Sequence, residues 1–236
     1  MYISGLQKLT LLDYPGHLAA IVFLDGCNFR CPFCQNSTLV LPSEKVSSII
    51  NIEEFQTFLK KRSGILEGIC VTGGEPTLHN ELPDFLEMIR QSGYLVKLDT
   101  NGTNPEMLRQ LLQDELLDYV AMDIKAGHVN YANTAGLPSD SDLLARVETS
   151  VELLLHSRID YEFRTTAVGG LHTEEDFRDI AQWIRGCQHY YLQSFRDCDQ
   201  ILMKNHPFFS FSEEQMHHFL EIVQKEIPQA SLRGID

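Results

Sequence analysis

Three of the six cysteines, Cys27, Cys31 and Cys34, fall within the short run Asp25-Gly26-Cys27-Asn28-Phe29-Arg30-Cys31-Pro32-Phe33-Cys34-Gln35-Asn36. A C-x3-C-x2-C spacing puts three soft thiolates on one loop, enough to hold three corners of a metal centre while the fourth stays open. Four thiolates would close a structural zinc site or an ordinary electron-transfer cluster. Three with a vacancy suit a [4Fe–4S] cube whose fourth iron takes an exchangeable ligand. A zinc-binding interaction module built on the same cysteines and a distant histidine is the rival reading, and it predicts a colourless protein. That rival leaves a second signal unexplained: the run Gly73-Gly74-Glu75-Pro76, which offers carbonyls and a carboxylate to a cation.

These residues need a scaffold that presents them together. Leu18–Leu24 is a continuously apolar run of the kind a buried parallel strand shows, and it ends on Asp25-Gly26, so the cysteine loop leaves its C-terminal end. The chain then alternates between two periods. Gly68–Val71, Leu95–Leu98, Tyr119–Ile124, Tyr161–Thr166 and Tyr190–Gln193 read as strands. Between them, Ile52, Phe55 and Leu59, then Leu82, Phe85, Leu86 and Ile89, mark helical faces, the second stopped by Gly93. Asn104-Pro105 caps and opens a helix carrying Leu108, Leu111 and Leu112. A long loop rich in Gly, Asn and Ser precedes a helix with Leu144, Val147, Val151 and Leu154 inward. Thr173 opens another with a Thr-x-x-Asp capping pattern, and Ser212 caps the last, over about residues 212–226. The N-terminal residues 1–17, with the turn Tyr14-Pro15-Gly16, read as a short extension on the sheet edge.

Six strand–helix units imply parallel strands joined by right-handed crossovers. Six cannot close an eight-stranded barrel, so the expected fold is α/β: an open (βα)6 partial TIM-type barrel with outer helices, in a single domain over residues 1–236 with its cysteine loop at 25–36. Function then belongs at the C-terminal strand ends. Unusual polar residues do follow each strand in turn: the cysteines, Thr72-Gly73-Gly74-Glu75, Asp99-Thr100-Asn101-Gly102, Asp123 and Lys125, Arg164-Thr165-Thr166, and Gln193-Ser194.

Each of these has a plainer interpretation. Gly73-Gly74 could be only a tight turn, Asn101-Gly102 likewise, and Asp123 with Lys125, two apart on a strand, a simple ion pair. Arg164 could merely neutralise nearby acids, or its guanidinium fork could bind a carboxylate or ribose. Cys70, inside an apolar strand, reads as an inert core thiol, and Cys187 and Cys198 have no companions for a second cluster. His17, His79, His128 and His172 neighbour these motifs without metal-ligand spacing, and His217-His218 reads as surface. Phe208, Phe209 and Phe211 read as a cover for the open edge rather than as a docking site for a partner.

Composition narrows the classes. A net charge of −14 argues against a nucleic-acid or anionic-membrane surface. A hydrophobic fraction of 43 % with no apolar run of spanning length is that of a globular protein, expected in the cytoplasm. In that compartment six cysteines are ligands or buried thiols rather than disulfides.

The cysteine loop, with Phe33 in the aromatic slot of C-x3-C-x-(aromatic)-C, resembles the radical S-adenosylmethionine (radical SAM) superfamily. Gly5-Leu6-Gln7-Lys8, Leu11-Leu12-Asp13-Tyr14-Pro15-Gly16, Leu98-Asp99-Thr100-Asn101-Gly102, Met122-Asp123-Ile124-Lys125 and Leu192-Gln193-Ser194-Phe195-Arg196 extend the resemblance over nearly the whole chain. They make it most similar to the glycyl-radical-enzyme activases that serve anaerobic ribonucleoside-triphosphate reductase. Two features depart from the wider pattern. Many relatives carry His where Gln35 stands, and the cysteine-rich ferredoxin-like insert of some activases has no counterpart between Cys34 and Cys70.

The resemblance implies a [4Fe–4S] cluster on Cys27, Cys31 and Cys34, with S-adenosyl-L-methionine chelating the open iron. It implies reductive cleavage to a 5′-deoxyadenosyl radical that takes hydrogen from a glycine of a partner enzyme, with electrons from a flavodoxin or ferredoxin-type donor. No general base is required. Phe33, Gly73, Gly74, Glu75, Asn101, Lys125, Arg164 and Gln193 are the implied cofactor contacts. Asp99, Thr100 and Asp123 are implied ligands of a monovalent cation, and Asp13 would lie where the glycine loop enters. Competing readings are activation of another glycyl radical enzyme, or a small-molecule radical SAM reaction such as 7-carboxy-7-deazaguanine synthesis.

Overall fold

The computed structural model describes residues 3–40, 50–138 and 142–235. Residues 1–2 of the N-terminal extension and 139–141 of the polar loop lie outside the described residues. Strand order is chain order, β1 to β8, in a mostly parallel sheet that stays open. The α/β class and the open partial-barrel type are therefore as the alternating pattern implies.

The residues cluster into two compact units. The first spans residues 1–28, 38–100 and 104–121. In it β1 (Ile3–Thr10) lies antiparallel to β2 (Ala19–Leu24), which is parallel to β3 (Gly68–Gly73), itself parallel to β4 (Leu95–Thr100). Both faces of β2 are covered, since Ala19, Ala20, Ile21, Val22 and Leu24 are all buried. That is why its sequence runs apolar without alternating. Helix α1 (Ser37–Val40) is a single turn. Helix α2 (Ile52–Arg62) starts with a reciprocal capping box, in which the Asn51 side chain accepts from the Glu54 N–H and the Glu54 side chain from the Asn51 N–H. Helix α3 (Leu82–Gln91) buries Leu82, Phe85, Leu86 and Ile89, the four residues of its apolar stripe. Each such side chain contributes up to about 1.5–3 kcal/mol. Helix α4 (Pro105–Gln113) has Asn104 at its N-cap and proline at its first position, and it buries Leu108 and Leu111.

The second unit spans 29–37, 101–103 and 122–236. Strand β5 (Tyr119–Asp123) ends in it; β6 (Asp160–Ala167), β7 (Tyr190–Ser194) and β8 (Ser231–Arg233) pair in parallel in that order. Its helices are α5 (His128–Ala135), α6 (Leu143–Leu155), α7 (Glu174–Trp183) and α8 (Glu213–Gln224). The expected capping patterns at Thr173 and Ser212 are both formed.

Besides the single turn α1 and a 3-10 turn over Pro76–Leu78, three elements go beyond the six-unit pattern. The extension is a strand, β1, whose two register breaks hide any period-2 alternation. β8 is only three residues long. Helix α5 forms within the polar loop, where its buried face is Tyr131, Thr134 and Ala135 rather than an aliphatic stripe, and Gly136 stops it in the left-handed region at φ 66°.

Candidate functional site

In the first unit the glycine-rich run is stitched by its backbone to the start of the cysteine loop. Gly74 N–H donates to Leu24 C=O at 2.9 Å and Glu75 N–H to Gly26 C=O at 2.7 Å. Gly26 itself turns at φ 80° and donates to Leu39 C=O. Side chains are excluded here: Gly73 sits at φ 128°, where a Cβ would strike the Leu24 carbonyl oxygen, and a Cβ on Gly74 would strike that of Gly26. The two glycines are thus more than a turn, because they let the backbones of Gly73-Gly74 and of Leu24-Gly26 touch at the start of the cysteine loop.

Glu75 is fully buried. Its Oε1 accepts from Thr77 N–H at 3.1 Å, Thr77 Oγ1 at 2.6 Å and Thr100 Oγ1 at 2.7 Å. A buried carboxylate held by three donors is fixed in place, and such a group suits recognition of an ammonium. Thr77 is held in turn by Asn104 Nδ2, which donates to its carbonyl at 2.7 Å. His79 Nε2 lies 2.9 Å from Asp25 C=O, which gives that histidine a loop-bracing contact.

Sequence reasoning missed Lys97. Its side chain is 1 % exposed and its Nζ pairs with Asp99 Oδ1, 3.7 Å from Cys70 Sγ and 5.9 Å from the centre of the Tyr119 ring. Cys70 is buried, as expected, yet its thiol also points at Asp99 Oδ1, 3.7 Å away, so its surroundings are polar. Asp99, an expected ligand of a monovalent cation, carries an internal ammonium on its carboxylate, and Thr100 spends its hydroxyl proton on Glu75. Asp13 is exposed beside Leu11 and Leu12, and its carboxylate accepts from Thr10 Oγ1.

In the second unit the rest of the cysteine loop is pinned by backbone contacts. Arg30 N–H donates to Ala135 C=O at 2.9 Å, Cys34 N–H to Cys31 C=O at 3.0 Å, Leu202 N–H to Cys34 C=O at 3.0 Å and Met203 N–H to Pro32 C=O at 2.9 Å. Gln35 donates to Arg196 C=O at 2.5 Å, a loop-fixing contact. None of Cys27, Cys31 and Cys34 is in a disulfide, so each can supply the thiolate that an iron–sulfur cluster requires. Burial pushes the Cys34 thiol up, while the Asn36 backbone N–H and the Lys125 ammonium pull it down. Phe33 is buried, with its ring edge-on to His172 at 6.5 Å. His172 is structural: Nδ1 accepts from Val168 N–H at 3.1 Å and Nε2 faces Lys125 C=O at 2.7 Å. Burial depresses its pKa, so it stays neutral.

Asp123 is bridged by two cations, Lys125 Nζ at 3.0 Å and Arg164 Nε at 2.9 Å. Burial alone would raise its pKa; Arg164 and then Lys125 override that and hold it at about 2. Burial opposes the Lys125 charge, but Asp123 outweighs it and Lys125 remains an ammonium. The ion-pair reading of Asp123 and Lys125 thus holds, with Arg164 as a third member. Asn101 is buried and turns its Oδ1 back to Thr103 N–H at 3.0 Å and Thr103 Oγ1 at 2.7 Å. Gln193 is half-buried on β7, aligned between Thr166 of β6 and Arg233 of β8.

Cys187 is buried, which pushes its thiol up to about 12, and Cys198 is exposed. His217 and His218 are on the surface, the latter 2.9 Å from Glu174. Phe208 is buried; Phe209, half-exposed, pairs its backbone with Gly169, and Phe211 packs on Phe219. Among the described residues no helix is long and apolar enough to cross a membrane.

Comparison with known proteins gives three kinds of match. The profile of the radical SAM superfamily matches residues 21–184. A Methanocaldococcus jannaschii protein named as a glycyl-radical enzyme activating enzyme is 30 % identical over 99 % of this chain and 96 % of its own. The 7-carboxy-7-deazaguanine synthase of Aquifex aeolicus is 40 % identical, but over 36 % of each chain. In fold, a radical SAM methyltransferase from Sphaerobacter thermophilus superposes with a TM-score of 0.69 over 95 % of this chain and 68 % of its own, at 18 % identity.

Proposed function

The chain belongs to the radical SAM superfamily, within its glycyl-radical-enzyme activating type, and we propose that its partner is anaerobic ribonucleoside-triphosphate reductase. It is an enzyme that uses a [4Fe–4S] cluster and S-adenosyl-L-methionine. Bound together, these two groups supply the one-electron chemistry by which an activating enzyme removes a hydrogen atom from a glycine.

The chain's own residues bind, orient and shield. Cys27, Cys31 and Cys34 hold the cluster, and the backbone contacts at Gly26, Arg30, Pro32 and Cys34 set their positions. The Gly73-Gly74 carbonyls and the Glu75 carboxylate accept hydrogen bonds from the methionyl ammonium, with Thr77 and Thr100 keeping Glu75 in place. Lys125 and Arg164 answer anionic groups of the cofactor while Asp123 holds both cations in a fixed pose. Phe33 backs the loop with an apolar ring, and Asn101 and Gln193 line the strand ends with polar groups. Asp13, exposed at the turn after β1, receives the glycine-bearing loop of the partner. A flavodoxin or ferredoxin-type protein delivers the electron.

The observation that carries this reading is coverage. The activating-enzyme relative matches 99 % of the chain, whereas deazaguanine synthases match 36 %, 56 %, 64 % and 67 % of it. Those partial matches make a small-molecule reaction the second reading. The test is anaerobic reconstitution followed by reduction, with S-adenosylmethionine cleavage measured with and without the reductase. A glycyl radical signal on the reductase is the expected result. Cleavage without that signal would overturn the partner, and turnover of a small substrate with no protein partner would favour the second reading.

A further inference from the structure

The charges at the end of β4 differ from those the resemblance implies, which are an alkali-metal ion held by Asp99 and Thr100. Parallel pairing of β3 with β4 sets Lys97 opposite Cys70, and the Lys97 side chain is 1 % exposed. Its Nζ bonds Asp99 Oδ1, lies 3.7 Å from Cys70 Sγ and sits 5.9 Å from the centre of the Tyr119 ring. A carboxylate, a sulfur and an aromatic face are partners for an ammonium, which donates N–H bonds and is drawn to a ring. An alkali-metal ion is a hard cation held by oxygens, and a thiol and a ring suit it poorly. Thr100 turns its hydroxyl to Glu75, at 2.7 Å. In the second unit Asp123, the third expected ligand, is bridged by Lys125 and Arg164. Both carboxylates expected to hold the ion already carry a cation of the protein, so the residues present do not fit it.

Charge balance points the same way. Glu75 and Asp99 bring two negative charges to neighbouring strand ends, which Thr100 joins. The amide and hydroxyl donors on Glu75 are neutral, so its charge is kept for the methionyl ammonium, while Lys97 neutralises Asp99. An alkali-metal ion at Asp99 would set a further positive charge against a buried ammonium, and like charges repel strongly where water is excluded.

We propose that Lys97 is the chain's own monovalent cation: its ammonium stands at Asp99 in place of an alkali-metal ion, and S-adenosyl-L-methionine binds without one. The inference rests on the radical SAM reading of the site. Lys97 is a positioning residue here, acting through Asp99.

The test measures S-adenosylmethionine affinity of the anaerobically reconstituted full chain by equilibrium dialysis. Sodium, potassium and tetramethylammonium chloride are compared at one ionic strength, the last cation being too large to replace an alkali-metal ion. Affinity should agree within about twofold across the three salts, and a fall of about tenfold in tetramethylammonium chloride overturns the inference. Lys97→Ala leaves room beside Asp99. At equal iron content its affinity in tetramethylammonium chloride should fall about tenfold and return with potassium or ammonium chloride, a pattern that lost packing does not produce. A loss that neither ion repairs assigns Lys97 to packing and overturns the inference, as does unaltered affinity of Lys97→Ala in every salt. If that variant does not fold, the salt series on the full chain decides alone. Absence of binding by the full chain in every salt overturns the proposed function and this inference with it.

Discussion

Thr100 Oγ1 donates to Glu75 Oε1 across 2.7 Å, joining the end of β4 to the turn after β3. Two motifs separated by 25 residues thus form one device, in which a threonine fixes the orientation of a buried carboxylate. Hydrogen bonds to a charged group contribute about 1.5–3 kcal/mol, so Glu75→Gln should weaken S-adenosylmethionine binding by about 10–100-fold. Thr100→Val should cost less, about 1 kcal/mol of stability, with cluster content unchanged. Equilibrium binding and denaturant unfolding check the pair, and a Glu75→Gln protein with unaltered affinity would remove Glu75 from the cofactor site.

Gly74→Ala should be more damaging than its size suggests. Its methyl group would meet the Gly26 carbonyl oxygen, so one of the two backbones must move. The expected result is a protein that still folds, with Tm lower by several degrees and cofactor binding lost. Unchanged binding in Gly74→Ala would show that the close approach is dispensable.

Asp123 ties stability to pH. Its folded pKa of about 2 lies below the unfolded value near 3.8, so its stabilisation is fully present above about pH 4 and is lost as pH falls toward 2. The side chain is 31 % exposed, which tempers the gain to an order of about 1–2 kcal/mol. Urea unfolding of the full chain and Asp123→Asn should therefore differ at pH 6 and converge toward pH 2. A constant gap across that range would assign the difference to packing.

Lys97→Met should be costly because it leaves Asp99 with its buried ammonium removed; breaking a buried pair typically costs about 3–5 kcal/mol. Adding Asp99→Asn should recover much of the loss. The same variant addresses the monovalent cation expected at Asp99 and Thr100. If Lys97 supplies that charge internally, sodium or potassium should raise the Tm of Lys97→Met and leave that of the full chain unmoved. Equal cation effects on both proteins would mean that ion and lysine act independently.

Asp13→Ala should separate two activities. Asp13 is exposed and accepts a hydrogen bond from Thr10, three residues before it, so its removal should spare S-adenosylmethionine cleavage while lowering glycyl radical yield at least tenfold. Parallel loss of both would end the entry-site assignment.

What could be read from the sequence was whatever repeats locally. The six runs became strands within a residue or two of their expected ends; β2 is apolar throughout because both its faces are covered, while β4 and β6 carry polar residues among their apolar and aromatic ones. The ion pair of Asp123 and Lys125 was legible from their spacing of two residues, although β5 ends at Asp123 and Lys125 lies just beyond it. Lys97 was not. In a strand buried on both faces, alternation no longer says where a polar residue points, and only the positions of Cys70 and Tyr119, distant in sequence, show that it is enclosed. Helix α5 escaped because Tyr131, Thr134 and Ala135 make a small, mixed face that carries no aliphatic signal. The link from Thr100 to Glu75 depends on strand register, which composition does not encode.

The amide of Glu75, bound to Gly26 C=O at 2.7 Å, connects the turn after β3 to the first residues of the cysteine loop through a single proton. That proton can exchange with solvent deuterium only when the two backbones part. Its exchange rate is therefore a clock for loop opening, readable in the protein without any spectroscopic label and without turnover.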